Sequence, residues 1–247
     1  MKLVTWNVRG LGRLEKKRAI RRLISKRSCD MLFIQESKLE VVNPRLWRSL
    51  AGHGPFFGDF VSSVGTAGGL ITLWNEKFFT IEEKVSAKRF MLLVGSIKSK
   101  NFRCGFGNIY APNDDRERQA FWMELGSIIK GFDIPWCLGG DFNAVRNEDE
   151  KIGVVQNSSS MSHFSLFIDD IGCMDLPMSG GKFNWCSNRR DPSYSRLDRF
   201  LISPEFMLVF QQLVQKCLPR SLSDHNAVLL MVESTNWGPK PFKFFNH

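Results

Sequence analysis

Six short polar motifs are spread along this chain of 247 residues, each at the edge of a short apolar segment. They are Trp6-Asn7, Gln35-Glu36, Tyr110-Ala-Pro112, Gly139-Gly-Asp-Phe-Asn143, Ser195-Arg-Leu-Asp-Arg199 and Ser223-Asp-His225. Together they supply four carboxylates, one histidine, two amides and a phenol, namely Glu36, Asp141, Asp198, Asp224, His225, Asn7, Asn143 and Tyr110. That set of side chains suits the hydrolysis of a phosphate ester.

Each of these residue types has a defined use in such a reaction. A hard dication such as Mg²⁺ prefers oxygen ligands and takes one or two carboxylates together with water and substrate phosphate. A carboxylate can orient or deprotonate the attacking water, and an acid–histidine pair fixes the ring tautomer. Amides and a phenol can donate to the non-bridging oxygens. Oxygen ligands dominate and the cysteines and histidines lack zinc-ligand spacing, so zinc is disfavoured.

Each motif taken alone also has an ordinary structural interpretation. Asp141 and Asn143 could form an Asx-turn after two glycines, and Asp198 could pair with its flanking arginines. Glu36 could be an exposed acid, and His225 could make one structural hydrogen bond. What favours a functional site is the combined inventory and the shared placement at strand ends, where a rigid sheet holds the loops.

The elements that must position these motifs are predicted from hydrophobic periodicity and turn residues. Strands are predicted at Lys2–Val8, Met31–Gln35, Phe56–Ser63, Gly69–Trp74, Phe78–Val85, Phe90–Ile97, Phe102–Tyr110, Ile134–Leu138, Lys182–Ser187, Arg196–Ile202, Leu213–Cys217 and Ala227–Val232, and helices at Glu15–Arg27, Asp114–Lys130 and Ser158–Ile171. The consecutive strands from Phe56 to Tyr110 predict an antiparallel meander. The whole pattern predicts an α/β fold in which two mixed β-sheets pack together and are flanked by helices.

Composition and charge narrow the class of protein further. Lys and Arg exceed Asp and Glu by nine charges, which favours a polyanionic partner. The six cysteines form no CxxC motif, so they are expected to be free thiols in a reducing compartment. No signal peptide or membrane span is apparent, and we expect a nuclear or cytoplasmic protein that does not contact membranes. Residues 1–233 are predicted to form one domain and residues 234–247 a tail or the start of a linker.

The motifs, in this order, resemble the endonuclease/exonuclease/phosphatase superfamily over about residues 2–232. The chain is most similar to the endonuclease domain of plant LINE-type (non-LTR) retrotransposons. The likeness is carried by Thr5-Trp-Asn-Val-Arg-Gly-Leu-Gly12, Asn108-Ile-Tyr-Ala-Pro-Asn113, Trp136-Cys-Leu-Gly-Gly-Asp-Phe-Asn143, Ser195-Arg-Leu-Asp-Arg-Phe-Leu201 and Leu222-Ser-Asp-His225. The resemblance implies a four-layer α/β sandwich and a DNA-nicking endonuclease that uses Mg²⁺, with Mn²⁺ as a substitute.

The resemblance also implies a role for each residue of the motifs. Glu36 would be the main metal ligand beside Asn7, with Asp224 supporting the metal or the histidine. Asp141 would position or activate water with help from Asn143, and Tyr110 would contact the scissile phosphate. His225 would bind the phosphate, with Asp198 orienting its ring. Arg9, Arg189, Arg190 and Arg196 are candidate contacts to double-stranded DNA.

One departure from the family pattern concerns the DNA-binding face. Such domains read Phe-Thr-Trp where this chain has Phe183-Asn184-Trp185, and Asn184 would take the place of the threonine as a substrate contact. The same chemistry leaves three other functions open: an apurinic-site repair endonuclease, a phosphoinositide-type phosphatase, and a decayed nucleic-acid-binding remnant. The nicking hypothesis also implies a reverse transcriptase domain downstream in a longer polyprotein, and we expect the domain to be a monomer.

Overall fold

The computed structural model of the chain describes residues 1–43, 45–65, 67–153, 158–187 and 189–233. Five α-helices are α1 (Leu14–Arg27), α2 (Arg45–Ala51), α3 (Asp115–Lys130), α4 (Ser158–Asp170) and α5 (Pro204–Val209). The longer strands are β1 (Lys2–Asn7), β2 (Met31–Gln35), β3 (Phe56–Val64), β4 (Ala67–Asn75), β5 (Phe79–Ala87), β6 (Phe90–Ile97), β7 (Phe102–Tyr110), β8 (Trp136–Asp141), β14 (Asp198–Ile202), β15 (Leu213–Cys217) and β16 (Val228–Val232). Two-residue strands are β9 (Lys151–Ile152), β10 (Met174–Asp175), β11 (Met178–Ser179), β12 (Trp185–Cys186) and β13 (Tyr194–Ser195).

Two large mixed sheets form the centre of the fold. Sheet 1 has the order β11-β15-β16-β1-β2-β4-β3, and sheet 2 has the order β10-β14-β8-β7-β6-β5. The pairs β1–β2 and β7–β8 are parallel, whereas most other neighbours are antiparallel. A small third sheet, β12-β13-β9, lies beside them. The predicted fold class of two mixed sheets flanked by helices is confirmed.

Three apolar layers hold the sheets and helices together. On β1, Val4 and Trp6 pack with residues of α1 and α2, whereas Leu3 packs in the layer between the sheets, because successive side chains of a strand point to opposite faces. The third layer joins sheet 2 to α3 and α4, where Trp122 stacks on Phe167. The resulting order is helices, sheet 1, sheet 2, helices, which places strand ends from both sheets along a common edge.

A buried polar contact ties the two sheets together close to that edge. Gln35 at the end of β2 donates to Thr5 Oγ1 at 2.9 Å and to Asn108 Oδ1 on β7 at 2.7 Å. Asn108 in turn donates to the carbonyl of Ile71 at 3.0 Å and to Thr72 Oγ1 at 3.1 Å, both on β4 of sheet 1. Because buried amides are costly when unpaired, these bonds fix how the sheets sit relative to each other.

The sequence-based predictions were wrong in three places. The five strands from Phe56 to Tyr110 do not form one meander, because β3 and β4 belong to sheet 1 and β5, β6 and β7 belong to sheet 2. The strand predicted at Lys182–Ser187 is reduced to the two residues of β12. Helix α2 and the short α5 were not predicted. The predicted tail at 234–247 lies outside the described residues, and among the described helices none is long and apolar enough to cross a membrane.

Candidate active site

Strand register brings the predicted polar residues to one edge of the two sheets. On sheet 1, Asn7 pairs with Gln35 at the ends of the parallel strands β1 and β2, so Glu36 emerges beside Asn7. On sheet 2, Asp141 ends β8 and pairs with Tyr110 of β7 on one side and with Asp198 of β14 on the other. The fold therefore assembles residues that are far apart in sequence.

The amide of Asn7 links carboxylates from the two sheets. Its Nδ2 donates to Asp141 Oδ2 at 2.8 Å and to Glu36 Oε1 at 3.1 Å. Its Oδ1 accepts from the backbone N–H of Arg9 at 3.1 Å. The amide nitrogen, and not the oxygen that a metal would need, thus faces the two acids. Asn7 as a metal ligand stays a prediction, and in this arrangement it positions Glu36 against Asp141.

His225 and Asp198 form a buried pair. His225 Nδ1 lies 2.7 Å from Asp198 Oδ2, and His225 Nε2 lies 3.9 Å from Asp141 Oδ2. Burial raises the pKa of Asp198, which lies next to Asp141 as well as to His225. Burial would lower the pKa of His225, but the carboxylates of Asp198 and Asp141 outweigh it and raise that pKa. The pair therefore holds a proton at neutral pH, with Nε2 directed at Asp141.

The loop that carries His225 is anchored to sheet 1. Ser223 Oγ donates to the carbonyl of Asn7 at 2.8 Å, and the indole N–H of Trp6 donates to the carbonyl of His225 at 3.1 Å. Asp224 accepts from Arg9 at 2.6 Å and from the indole N–H of Trp185 at 3.2 Å. Burial opposes ionisation of Asp224, but His225 and Arg9 prevail and lower its pKa. Asp224 thus stays ionised at the mouth of the site.

Tyr110 and Asn143 complete the group. Tyr110 is 5 % exposed and hydrogen bonded to Glu36, and burial raises the pKa of its hydroxyl, so the phenol keeps its proton. Asn143 donates its backbone N–H to Asp141 Oδ1 at 3.0 Å and its side-chain amide to the carbonyl of Ala111 at 2.8 Å. Both bonds restrain the loop after β8, so Asp141 is held at both carboxylate oxygens.

Three residues of these loops have strained backbone conformations. Arg9, Glu36 and Asn143 have φ values of +46°, +49° and +48°, the left-handed region that costs a non-glycine residue roughly 1 kcal/mol or more. None of the three is glycine, so the surrounding contacts must hold these conformations. Strain that persists in this way is typical of functional loops.

Two residues named from the sequence lie elsewhere than expected. Arg196 pairs with Glu150 at 2.9 Å and with Asp175 at 2.6 Å, and its side chain is only 12 % exposed. Asn184 is 1 % exposed and makes its hydrogen bonds to the backbone around Asp198. The structure does not bring either side chain to a surface that a substrate could reach.

Several residues of the site were missed from the sequence. A cleft of about 280 Å³ is lined by Asp141, His225 and Glu36, and also by Arg118, Lys151 and Trp185. Arg118 is 2 % exposed and donates to the carbonyls of Pro112 and Asn113 at 2.9 and 2.7 Å, which fixes the loop after Tyr110. Its only signal in the sequence is a position in the first turn of a helix, which also fits a surface arginine.

A larger cleft of about 970 Å³ opens beside the first and shares Arg9, Lys151 and Trp185 with it. Its lining adds the cations Lys16, Arg189 and Arg220. The small cleft combines the acids Glu36 and Asp141 with cations, whereas cations dominate the large cleft, so the two together suit a polyanion whose phosphate enters the small cleft.

The carboxylates of the small cleft could also hold a cation. Among the described residues, Asp141, Asp198 and His225 offer ligand atoms within 4.8 Å of one another. Asp198 and His225, however, already share a hydrogen bond, whereas Glu36 keeps part of its carboxylate exposed next to Asn7 and Asp141. Carboxylate oxygens are donors that a hard dication prefers, and Glu36 is more exposed than Asp141 and Asp198, so the donor set is compatible with a divalent cation.

Comparison with known proteins agrees with this geometry. The sequence matches the model of the "Endonuclease/Exonuclease/phosphatase family" over residues 4–225. The chain belongs to this family. The resemblance noted from the motifs is thereby confirmed, and the chemistry common to the classes in the family name is hydrolysis of phosphate esters. A search of curated proteins gave no match to this chain.

Solved structures show the same fold at low sequence identity. A 3′ phosphatase from Neisseria bound to a product DNA hairpin has a TM-score of 0.76 at 16% identity, covering 94% of this chain and 99% of its own. The endonuclease domain of TRAS1, a telomere-specific non-LTR retrotransposon, has a TM-score of 0.70 at 12% identity, covering 95% and 99%. An AP endonuclease from Archaeoglobus fulgidus has a TM-score of 0.70 at 14% identity, covering 94% and 99%.

Proposed function

We propose that this family member is a metal-dependent endonuclease that nicks one strand of double-stranded DNA, as the retrotransposon-type domains that it resembles do. The observation that carries the proposal is the charge balance of the site. Four carboxylates lie around one histidine, with the half-exposed Arg9 paired to Asp224, next to a cleft lined by cations. An acidic centre beside a basic groove suits a cation and a polyanion together.

The protein's own residues supply the acid and base functions. Asn7 and the backbone of Asn143 hold the Asp141 carboxylate, which is placed to take a proton from an attacking water. Asp198 fixes the His225 tautomer so that protonated Nε2 faces the same space and can donate to a phosphate oxygen. Tyr110 keeps its proton, and its hydrogen bond to Glu36 helps to place that carboxylate.

Glu36 is the residue that we propose as the main metal ligand, with Asp224 at the far side of the site. A magnesium ion bound there would supply positive charge against the negative charge that develops on the phosphate. Lys38 lies 3.7 Å and Arg9 4.0 Å from Glu36 Oε2, so weak cationic contacts surround this oxygen. Mn²⁺ should substitute, because it accepts the same oxygen ligands.

A plasmid-nicking assay tests the proposal. Purified protein with Mg²⁺ or Mn²⁺ should convert supercoiled plasmid to open circles, and EDTA should stop the conversion. Asp141→Asn and His225→Ala should each lower nicking by about a hundredfold or more, whereas Asp169→Asn, at an exposed aspartate on α4, should leave it unchanged. A folded wild-type protein that never nicks DNA with any divalent metal would refute the proposal.

The same preparation separates the alternative substrates. A strong preference for an oligonucleotide with an abasic site over intact duplex would favour an apurinic-site endonuclease. Turnover of a phosphoinositide without nicking would favour a phosphatase, and salt-sensitive DNA binding without cleavage would favour a decayed remnant. A monomeric state, a downstream reverse transcriptase and a nuclear or cytoplasmic location stay predictions that accompany the nicking function.

A further inference from the structure

Asn184 is buried directly beneath the Asp198–His225 pair. It immediately precedes β12 and is 1 % exposed, so DNA in the cleft cannot reach its amide. A buried amide must find its partners inside the protein, because an unpaired polar group there is costly. The partners that Asn184 has found show what the residue does.

The side chain of Asn184 holds the backbone of Asp198 from both sides. Its Oδ1 accepts the N–H groups of Leu197 at 2.9 Å and of Asp198 at 3.1 Å. Its Nδ2 donates to the carbonyl of Asp198 at 2.5 Å. The start of β14 is therefore fixed at three points by one side chain.

The main chain of Asn184 reaches the other member of the pair. Its carbonyl accepts the N–H of Asn226 at 2.7 Å, and its own N–H donates to the carbonyl of Ser195 at 3.1 Å. The next residue, Trp185, forms a β-bridge with His225. Asp198 comes from sheet 2, while His225 leads into β16 of sheet 1. The segment around Asn184 therefore connects the strand end that carries Asp198 to the loop that carries His225.

We propose that Asn184 is a positioning residue that sets the distance between Asp198 and His225, rather than a contact to the substrate. An amide can accept two hydrogen bonds and donate another in one plane, whereas a threonine hydroxyl has a single proton and a shorter reach. The effect on catalysis rests on the nuclease function proposed above, but the effect on the hydrogen bond between Asp198 and His225 does not.

Two variants and a control test this role in the chain of 247 residues. Asn184→Ala removes the three side-chain bonds to the backbone of Leu197 and Asp198, together with a contact to Met178 Sδ, and Asn184→Thr keeps at most part of them. Ser179→Ala is the matched control, because Ser179 Oγ donates to the carbonyl of Gln215, away from the pair. Proton NMR of ¹⁵N-histidine-labelled protein reports the Nδ1 proton of His225, which is assigned by its loss in His225→Gln. Thermal unfolding shows that each variant is folded at the temperature used.

The wild type and Ser179→Ala should show the low-field Nδ1 proton, and Asn184→Ala should lose it or move it upfield. With plasmid DNA, Asn184→Ala should lower kcat about a hundredfold at a KM within a factor of about two, since small misplacements can cost that much. Asn184→Thr should lie between the two. A raised KM with unchanged kcat and an unchanged resonance would overturn the positioning role and return Asn184 to a substrate contact. A resonance that moves in a protein whose wild type never nicks would uphold the positioning role and refute the nuclease proposal instead.

Discussion

Two buried clusters of charge lie on either side of β14, and they are built differently. In one, Arg196 and Arg199 pair with Glu150 and Asp175 at distances of 2.6 to 2.9 Å. In the other, Glu36, Asp141, Asp198 and Asp224 surround His225, with Arg9 reaching in from the surface. The first cluster is neutral, whereas in the second the four acids outnumber the three cations that contact them, because Lys38 also lies 3.7 Å from Glu36.

The comparison separates a structural cluster from a functional one. The paired arginines and acids balance each other's charge, and Arg199 additionally donates to the carbonyl of Ala144 and stacks over Phe164. Both clusters leave buried polar atoms without a partner in the described part of the chain, Arg196 Nε and Arg199 Nε in the first and Asp198 Oδ1 in the second, so the difference between them lies in their charge. A buried excess of charge is expensive unless a ligand or proton offsets it. Unbalanced buried charge is therefore a better indicator of a functional site than a set of balanced buried ion pairs.

Replacing Asp141 with asparagine should give the largest effect on activity. The acceptor for the proton of water is lost, so nicking should fall by about 10²- to 10⁴-fold. Burial raises the pKa of Asp141, which means that its charge is unfavourable in the folded state, so the melting temperature should stay the same or rise. Calorimetry on the variant checks this, and a clear loss of stability would show that the acidic cluster is structural after all.

Replacing Arg199 with methionine should give the opposite result. Glu150 and Asp175 would keep only Arg196, and breaking a buried ion pair costs about 3–5 kcal/mol of unfolding free energy. The control is Arg103→Met, because Arg103 pairs with Glu82 in an exposed setting, where such pairs contribute about 0–1 kcal/mol. Urea unfolding measures both. Equal losses of unfolding free energy in the two variants would show that the buried cluster stabilises the fold no more than an exposed ion pair does.

Magnesium should stabilise the unbalanced cluster through Glu36. At a concentration a hundred times the dissociation constant, binding adds about 2.7 kcal/mol to the unfolding free energy. Glu36→Gln should lose most of that increment, and EDTA should remove it from the wild type, whereas Glu82→Gln on the remote edge of sheet 2 should retain it. The readout is a melting curve, so it does not depend on activity. If Glu36→Gln keeps the gain in unfolding free energy, the cation binds at another site.

The pH dependence of His225 tests the charge of the unbalanced cluster directly. Its pKa is raised above the ordinary value of about 6.5, so its charge stabilises the folded state fully below that pH. The stabilisation is lost as the pH rises through the raised pKa, and it amounts to about 1.4 kcal/mol for each tenfold gain in proton affinity on folding. The difference in unfolding free energy between wild type and His225→Gln, measured in EDTA from pH 5 to 9, should therefore shrink with rising pH. A difference that grows would mean that the imidazole is neutral in the folded protein.

The residues that form the candidate site could be predicted from the sequence, but the directions in which their side chains point could not. Asn7, Glu36, Tyr110 and Asp141 can be identified because each ends a recognisable strand or follows it directly. Arg196 lies two residues before Asp198, which suggests a substrate contact, yet it turns into the neutral cluster. Only the acids at Glu150 and Asp175, distant in sequence, decide that direction.

The assignment of strands to the two sheets likewise could not be predicted from the local sequence pattern. Strands β4 and β5 are both recognisable as strands from the sequence, but the crossing between sheets depends on partners such as β2, which lies far upstream. Helix α2 has only seven residues, too few to show helical periodicity. The burial of Arg118 follows from Ser160 on α4, a contact between two helices that no short window contains.

The place of β16 has a consequence for the order in which the protein matures during synthesis. This strand lies between β1 and β15, and Lys2 pairs with Met231 across sheet 1. Strand β1 therefore has no partner on that side until β16 has been synthesised, and His225 emerges just before β16. A nascent chain that ends before residue 225 lacks both strand β16 of sheet 1 and the imidazole of His225. If the protein cuts DNA as proposed, unfinished chains are harmless, and the cutting centre appears only when the domain is almost complete.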